Sequence, residues 1–136
     1  ILGLQNNYEE KIQTLEKIGS KYPTSAYYDD AIYNIGDAYV SLGKFQTAVA
    51  TFNNLIQKFN ISPFVSKAYL KLGLIYYNQD NLKKSVESYK AVIDNYPQSN
   101  DAKEALTALK EMSIAEGDPD LYMNVISSRK DLNISI

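Results

Sequence analysis

The side chains available for chemistry in this chain are few in kind. The 136 residues include no His, no Cys and no Trp, which removes imidazole bases, thiolate nucleophiles and the common zinc-ligand sets before any geometry is considered. Acid–base or nucleophilic work would fall to carboxylates, serines, lysines or the 12 tyrosines. The carboxylate pairs Glu9-Glu10 and Asp29-Asp30 are sequence neighbours, and on a helix neighbouring side chains diverge instead of facing one substrate. Both pairs are expected on solvated faces. Asp118 and Asp120 bring two oxygen donors together, but without the glycine and the distal glutamate of a calcium loop; Asp118 before Pro119 is expected to cap a helix. No glycine-rich phosphate loop occurs. The sequons Asn60-Ile61-Ser62, followed directly by Pro63, and Asn133-Ile134-Ser135 are assigned no glycan. The residues therefore predict no enzyme, no metal centre and no cofactor.

Bulk composition is that of an ordinary globular chain, 45% hydrophobic and 22% charged. The net charge is −2, from 14 basic and 16 acidic residues, with no basic stripe to neutralise phosphates, which argues against nucleic acid and against an anionic membrane surface. The longest apolar runs, such as Gly73–Tyr77, are far short of the roughly 18 to 20 residues that span a bilayer. The absence of cysteine suits a reducing cytosol and a periplasm equally. The chain opens Ile1-Leu2-Gly3 with neither an initiating Met nor a signal peptide, and is expected to be a fragment or a processed chain.

What would position any functional side chain is a repetition. Tyr22, Phe59 and Tyr96 follow at 37-residue steps, as do Ser25, Ser62 and Ser99, Ala31, Ala68 and Ala105, and the column Asn6, Gly43, Asp80 and Gly117. A fixed period of this size marks a solenoid whose units bury their apolar faces only by stacking. In the clearest unit Ala31, Ile32, Ile35, Ala38, Tyr39 and Leu42 fall at the three-and-four spacing of an amphipathic helix A, expected over about Ser25 to Leu42. Gly43 stops it, and its column, Asn6 included, is expected to form the turn. Phe45, Ala48, Val49, Phe52, Leu55 and Ile56 then pattern an antiparallel helix B that ends near Phe59. The next unit repeats this with Ala68, Tyr69, Leu72, Ile75 and Tyr76, then Leu82, Ser85, Val86, Tyr89, Val92 and Ile93. Ser62-Pro63 begins its helix A with an N-cap and an N1 proline, while Tyr22-Pro23 and Tyr96-Pro97 close helices B.

These residues resemble the tetratricopeptide repeat, whose pattern runs W-x2-L-G-x2-Y, A-x3-F and P. Here it reads Ile32-x2-Ile35-Gly36-x2-Tyr39 with Ala48-x3-Phe52, and Tyr69-x2-Leu72-Gly73-x2-Tyr76 with Ser85-x3-Tyr89 and Pro97. Gly36 and Gly73 would allow helix A to approach its partner closely, and Tyr39, Tyr76 and Tyr89 are expected to pack in stacking columns. The resemblance implies an all-α fold, an α-α superhelix (solenoid) of antiparallel helix pairs. The step exceeds the family's period of about 34, which adds nearly a turn to helix A. Such extended repeats are similar to those of bacterial envelope proteins of the outer-membrane assembly lipoprotein and Tol-Pal coordinator types. That likeness implies periplasm or the outer-membrane periphery, with cytoplasm the alternative.

The whole chain is expected to be one segment: residues 1–23 the end of a truncated repeat, 24–60 and 61–97 full repeats, 98–130 a degenerate C-terminal repeat and 131–136 a tail. In the first, Tyr8, Leu15 and Ile18 align with helix B columns and Leu2 with the end of a helix A. In the last, Leu106, Leu109 and Met112–Ile114 form helix A, but Lys110 replaces the close-packing glycine and Ser113 the tyrosine. Its helix B, about Pro119 to Arg129, places Tyr122, Ile126 and Arg129 in the columns of Ala48, Phe52 and Leu55.

By the same resemblance, the inner face of helix A lines a concave groove, assigned here to Tyr33, Asp37, Val40, Leu70, Leu74, Tyr77, Thr107 and Glu111. The Lys and Asn that clamp a terminal carboxylate in chaperone-tail-binding members are absent, since Tyr33, Asp37, Leu70 and Leu74 hold those places. Aromatic and aliphatic residues beside acids suit an amphipathic helix or an extended peptide. The expected function is a protein–protein interaction module. The alternative is a structural spacer or oligomerisation segment that self-associates through its repeat ends and has no ligand of its own. Neither reading involves nucleic acid or membrane insertion.

Overall fold

Helix-forming runs separated by single turn residues fold as the period requires. The structure, a computed structural model, describes the backbone of residues 2–21 and 26–127, and their side chains other than those of 2–6, 19, 26 and 27. Among the described residues there are seven helices and no strand: α1 (Leu2–Lys21), α2 (Ala26–Ser41), α3 (Phe45–Lys58), α4 (Phe64–Asn78), α5 (Leu82–Asn95), α6 (Asn100–Glu116) and α7 (Asp120–Ser127). The fold is all-α, of the helical-repeat class. Packing divides the chain into two compact units, Ile1–Lys71 and Leu72–Ile136.

The turn column is confirmed at three of its four positions. Gly43, Asp80 and Gly117 all have positive φ, at 75°, 60° and 65°, the left-handed conformation that is cheapest for Gly and tolerated by Asp. Asn6 departs from expectation: α1 is continuous from Leu2 to Lys21, so no turn forms there. Asn tolerates the left-handed region without requiring it, and neither Gly nor Pro follows to break the helical ladder. The expected helix end at Tyr22-Pro23, Ser25, Arg129 and the segment 131–136 lie outside the described residues.

In the first unit, Ile12 of α1 is buried against Ile35 and Ala38 of α2, with Tyr8, Leu15, Tyr39 and Leu42 packed around them. Between α2 and α3 the close approach predicted for Gly36 is real: a Cβ there would lie 2.6 Å from Cε1 of the fully buried Phe52. Phe45 departs from the expected core face and is 39% exposed, because it is the first residue of α3, where the chain has only just left the turn.

The second unit repeats the device one step on. A Cβ on Gly73 would lie 2.6 Å from Cζ of the buried Tyr89. Ser85, fully buried, donates to the Gly73 carbonyl at 2.7 Å, so its hydroxyl is satisfied where the earlier repeat has Ala48. Val92, Ile93, Ala105, Leu109, Val125 and Ile126 are also buried. The helices begin on capping side chains: Asn81 accepts from the Lys84 N–H at 3.2 Å, Ser99 from Ala102 at 3.0 Å, and Asp118 from Asp120 at 3.1 Å.

Candidate functional site

The sequence-assigned groove residues fall in both units. In the first, Tyr33 is half-buried, with its ring centroid 5.8 Å from that of Phe52 and 5.5 Å from that of Phe64. Its ring thus touches residues of α3 and α4 as well as standing on α2. Asp37 forms an ion pair with Lys71 at 3.1 Å, with the two side chains 44% and 34% exposed; such a solvated pair contributes at most about 1 kcal/mol. Val40 and Leu70 are half-buried.

Asp29 and Asp30, expected on a solvated face, are half-buried and bonded. Asp29 accepts from Ser62 Oγ at 2.5 Å and from the Asp30 N–H at 2.8 Å. Ser62 Oγ in turn accepts from the Phe64 N–H at 3.1 Å, as its N-cap role requires. Asp30 accepts from Asn34 at 2.7 Å. Asp29 thus ties the start of α2 to the α3–α4 connection, while Asp30 bonds within α2. Glu9 and Glu10 are exposed, as expected.

In the second unit, Leu74 is 49% exposed on α4, one turn from Tyr77. The Tyr77 hydroxyl donates to Glu116 of α6 at 3.2 Å; partial burial, then this carboxylate and Asp80, raise its pKa. Thr107 and Glu111 are exposed on α6, with Thr107 Oγ1 bonded to the Lys103 carbonyl. Burial pushes the Tyr89 phenol up to about 12, assisted by Glu104 and Glu111. Glu111 therefore belongs to the field around the core tyrosine as well as to the exposed face.

The family model for the tetratricopeptide repeat matches residues 33–100, and a second model of the same repeat matches residues 1–25. The first match alone spans half of the chain. The chain belongs to the tetratricopeptide-repeat family. Among curated proteins no sequence matches it. Tetratricopeptide repeats generally mediate protein–protein interaction and are typically non-enzymatic scaffolds. Among the described residues of this repeat protein, no group of three or more Asp or Glu side chains is arranged to hold a metal ion. No described helix is long and apolar enough to cross a membrane.

Two concave surfaces of the repeats escaped the sequence reading. In the first unit a cleft of about 550 Å³ opens among α1, α2 and α3, lined by Leu15, Tyr28, Ile32, Ile35, Tyr39 and Thr51 among others; no assigned groove residue lines it. Beside it, Lys58 Nζ sits 4.7 Å from the Tyr28 ring centroid. In the second unit a cleft of about 360 Å³ lies against α6 and α7. Ile114, expected in the apolar face of helix A, is instead 73% exposed at its edge. The signal was present, because Ile114 continues the 37-residue column of Val40 and Tyr77.

Proposed function

We propose that this chain is a protein-binding module whose exposed helix A side chains recognise a peptide or an amphipathic helix of a partner, as part of a larger repeat protein. The observation that supports this reading most directly is Leu74, an aliphatic side chain 49% exposed on α4. It stands in the register column of Glu111, which is exposed on α6 of the same unit. An apolar contact with carboxylates in its own unit is the chemistry by which a helical or extended peptide with one apolar stripe and a basic flank is held. Tyr77 supplies an aromatic anchor beside it, its hydroxyl directed to Glu116. Asp37, Val40 and Leu70 offer the corresponding chemistry in the first unit, and Thr107 and Glu111 on α6. The long 37-residue step supports, by resemblance, a place among the extended repeats of bacterial envelope proteins.

Peptides selected from a random display library on the immobilised chain test this reading. Selected sequences should carry an apolar stripe with basic neighbours and lose affinity about tenfold on Leu74→Asp, while Lys90→Ala on the exposed side of α5 leaves them bound. Selection that yields no peptide, or peptides indifferent to Leu74→Asp, would refute it.

A further inference from the structure

The α6–α7 cleft differs from its counterparts in a way that points to an occupant. Ser113 lines it and stands in the column where Tyr39 and Tyr76 place a ring. Its hydroxyl is buried with no hydrogen-bond partner, and the residue as a whole is 7% exposed. Removing a ring at this column leaves room, and the room is apolar: Ile114, Pro119, Tyr122 and Met123 line it, with Ile114 73% and Met123 41% exposed. Lys110, in the column of Gly36 and Gly73, is the sole charge on its lining.

The second unit itself shows what covers these columns one step earlier. Tyr77 and Ser85 stand 37 residues before Ile114 and Tyr122, and α6 covers both: Glu116 accepts from the Tyr77 hydroxyl, and Ser85 Oγ lies 3.6 Å from Met112 Sδ. We infer that the α6–α7 face docks an amphipathic helix, seated as α6 is on α5 and the C-terminal half of α4, that turns an apolar side chain into the cleft beside Ser113. The partner's chemistry follows from the substitutions. Where α6 presents Glu116 to a phenol, the partner meets Ile114, which offers no donor, so an aromatic or aliphatic residue replaces the carboxylate. Lys110 favours an acidic residue on the partner's flank. This docking face is independent of the groove proposed above and involves none of its residues.

The test is fluorescence anisotropy of a labelled 17-residue peptide with the α6 sequence Asn100–Glu116 carrying Glu116→Phe, titrated with the full chain. Saturable binding is expected, weakened about tenfold or more by Ile114→Asp and by Met123→Asp; the peptide that retains Glu116 should bind more weakly. Ser113→Tyr should fill the cleft from within and abolish binding while the helical circular dichroism is kept. Should that variant fail to fold, the exposed Met123→Asp substitution still decides. Absence of saturation up to about millimolar concentration, affinity in both aspartate variants equal to that of the parent chain, or undiminished binding by a folded Ser113→Tyr chain would each overturn the inference. Light scattering that shows the chain to dimerise, with Ile114→Asp dissolving the dimer, would assign the face to a second copy and overturn it as well.

Discussion

Replacing Gly36 with Ala should destabilise the protein, although the same change in a solvated helix would stabilise it. Ala exceeds Gly in helix propensity by about 1 kcal/mol, so an unhindered site gains roughly that much. Here the new Cβ would stand 2.6 and 2.7 Å from Cε1 and Cζ of Phe52, against an ordinary carbon–carbon contact of about 3.5–4.0 Å. The ring has no easy retreat, since Phe52 is fully buried and its other neighbours include the Tyr33 ring. Overpacking of this kind costs about 1–3 kcal/mol, and an overlap approaching 1 Å on a locked ring belongs in the upper half of that range. After the propensity gain, the net loss is about 1–2 kcal/mol, or a fall in Tm of about 3–10 °C for a chain of this size. The assay is thermal and urea unfolding followed by circular dichroism, repeated in a Phe52→Leu background where the ring is gone. There Gly36→Ala should be neutral or stabilising by up to about 1 kcal/mol, giving a coupling of about 1–3 kcal/mol. A raised Tm for Gly36→Ala in the parent chain, or an equal loss in both backgrounds, would refute the close-approach argument. Gly73→Ala against Tyr89→Leu repeats the experiment in the second unit.

Tyr33→Ala should lower stability by about 1–3 kcal/mol through loss of two ring contacts and buried area, whereas Asp37→Ala should change it by less than about 1 kcal/mol; comparable unfolding midpoints for the two would refute a packing role for Tyr33. Alkaline unfolding should contain a Tyr89 component. With its folded pKa raised from 10.0 to about 12, the unfolded chain loses this proton first, so stability is unaffected below pH 10 and falls between about 10 and about 12. Tyr89→Phe should flatten that fall in pH-dependent urea titrations, and an unchanged slope would argue against the buried phenol.

What the sequence disclosed, and what it hid, divide by the range of the interaction. The turn at Gly43, Asp80 and Gly117 and the close approach at Gly36 and Gly73 were legible because each imposes a demand on one residue, repeated at a fixed step. Asn6 misled because left-handed tolerance is a permission and not a demand. Asp29 read as solvated because its partner Ser62 lies 33 residues away. No local pattern marks such a hydrogen bond. Tyr33 shares its column with Leu70 and Thr107, which suggested an exposed face. Its packing depends on Phe52 and Phe64, and only their positions in space reveal it.

The departures of α6 and α7 from the repeat pattern are better understood as one physical change than as several. In both complete repeats a glycine on helix A and an aromatic ring on helix B form a matched pair, and the ring occupies the space that a Cβ would take. At 37 residues further on, Lys110 replaces the glycine and Ile126 the ring. Once the ring is absent, nothing requires the glycine. The smaller Ile126 is still buried, at 7% exposure, so α7 is still tied to α6. The same loss extends to Ser113, where a second ring is missing and a buried hydroxyl is left without a partner. A helix pair whose outer face met only water would be expected to carry polar side chains there. This one has instead removed bulk while keeping Ile114 and Met123 exposed, a combination that lowers solubility unless another apolar surface covers it.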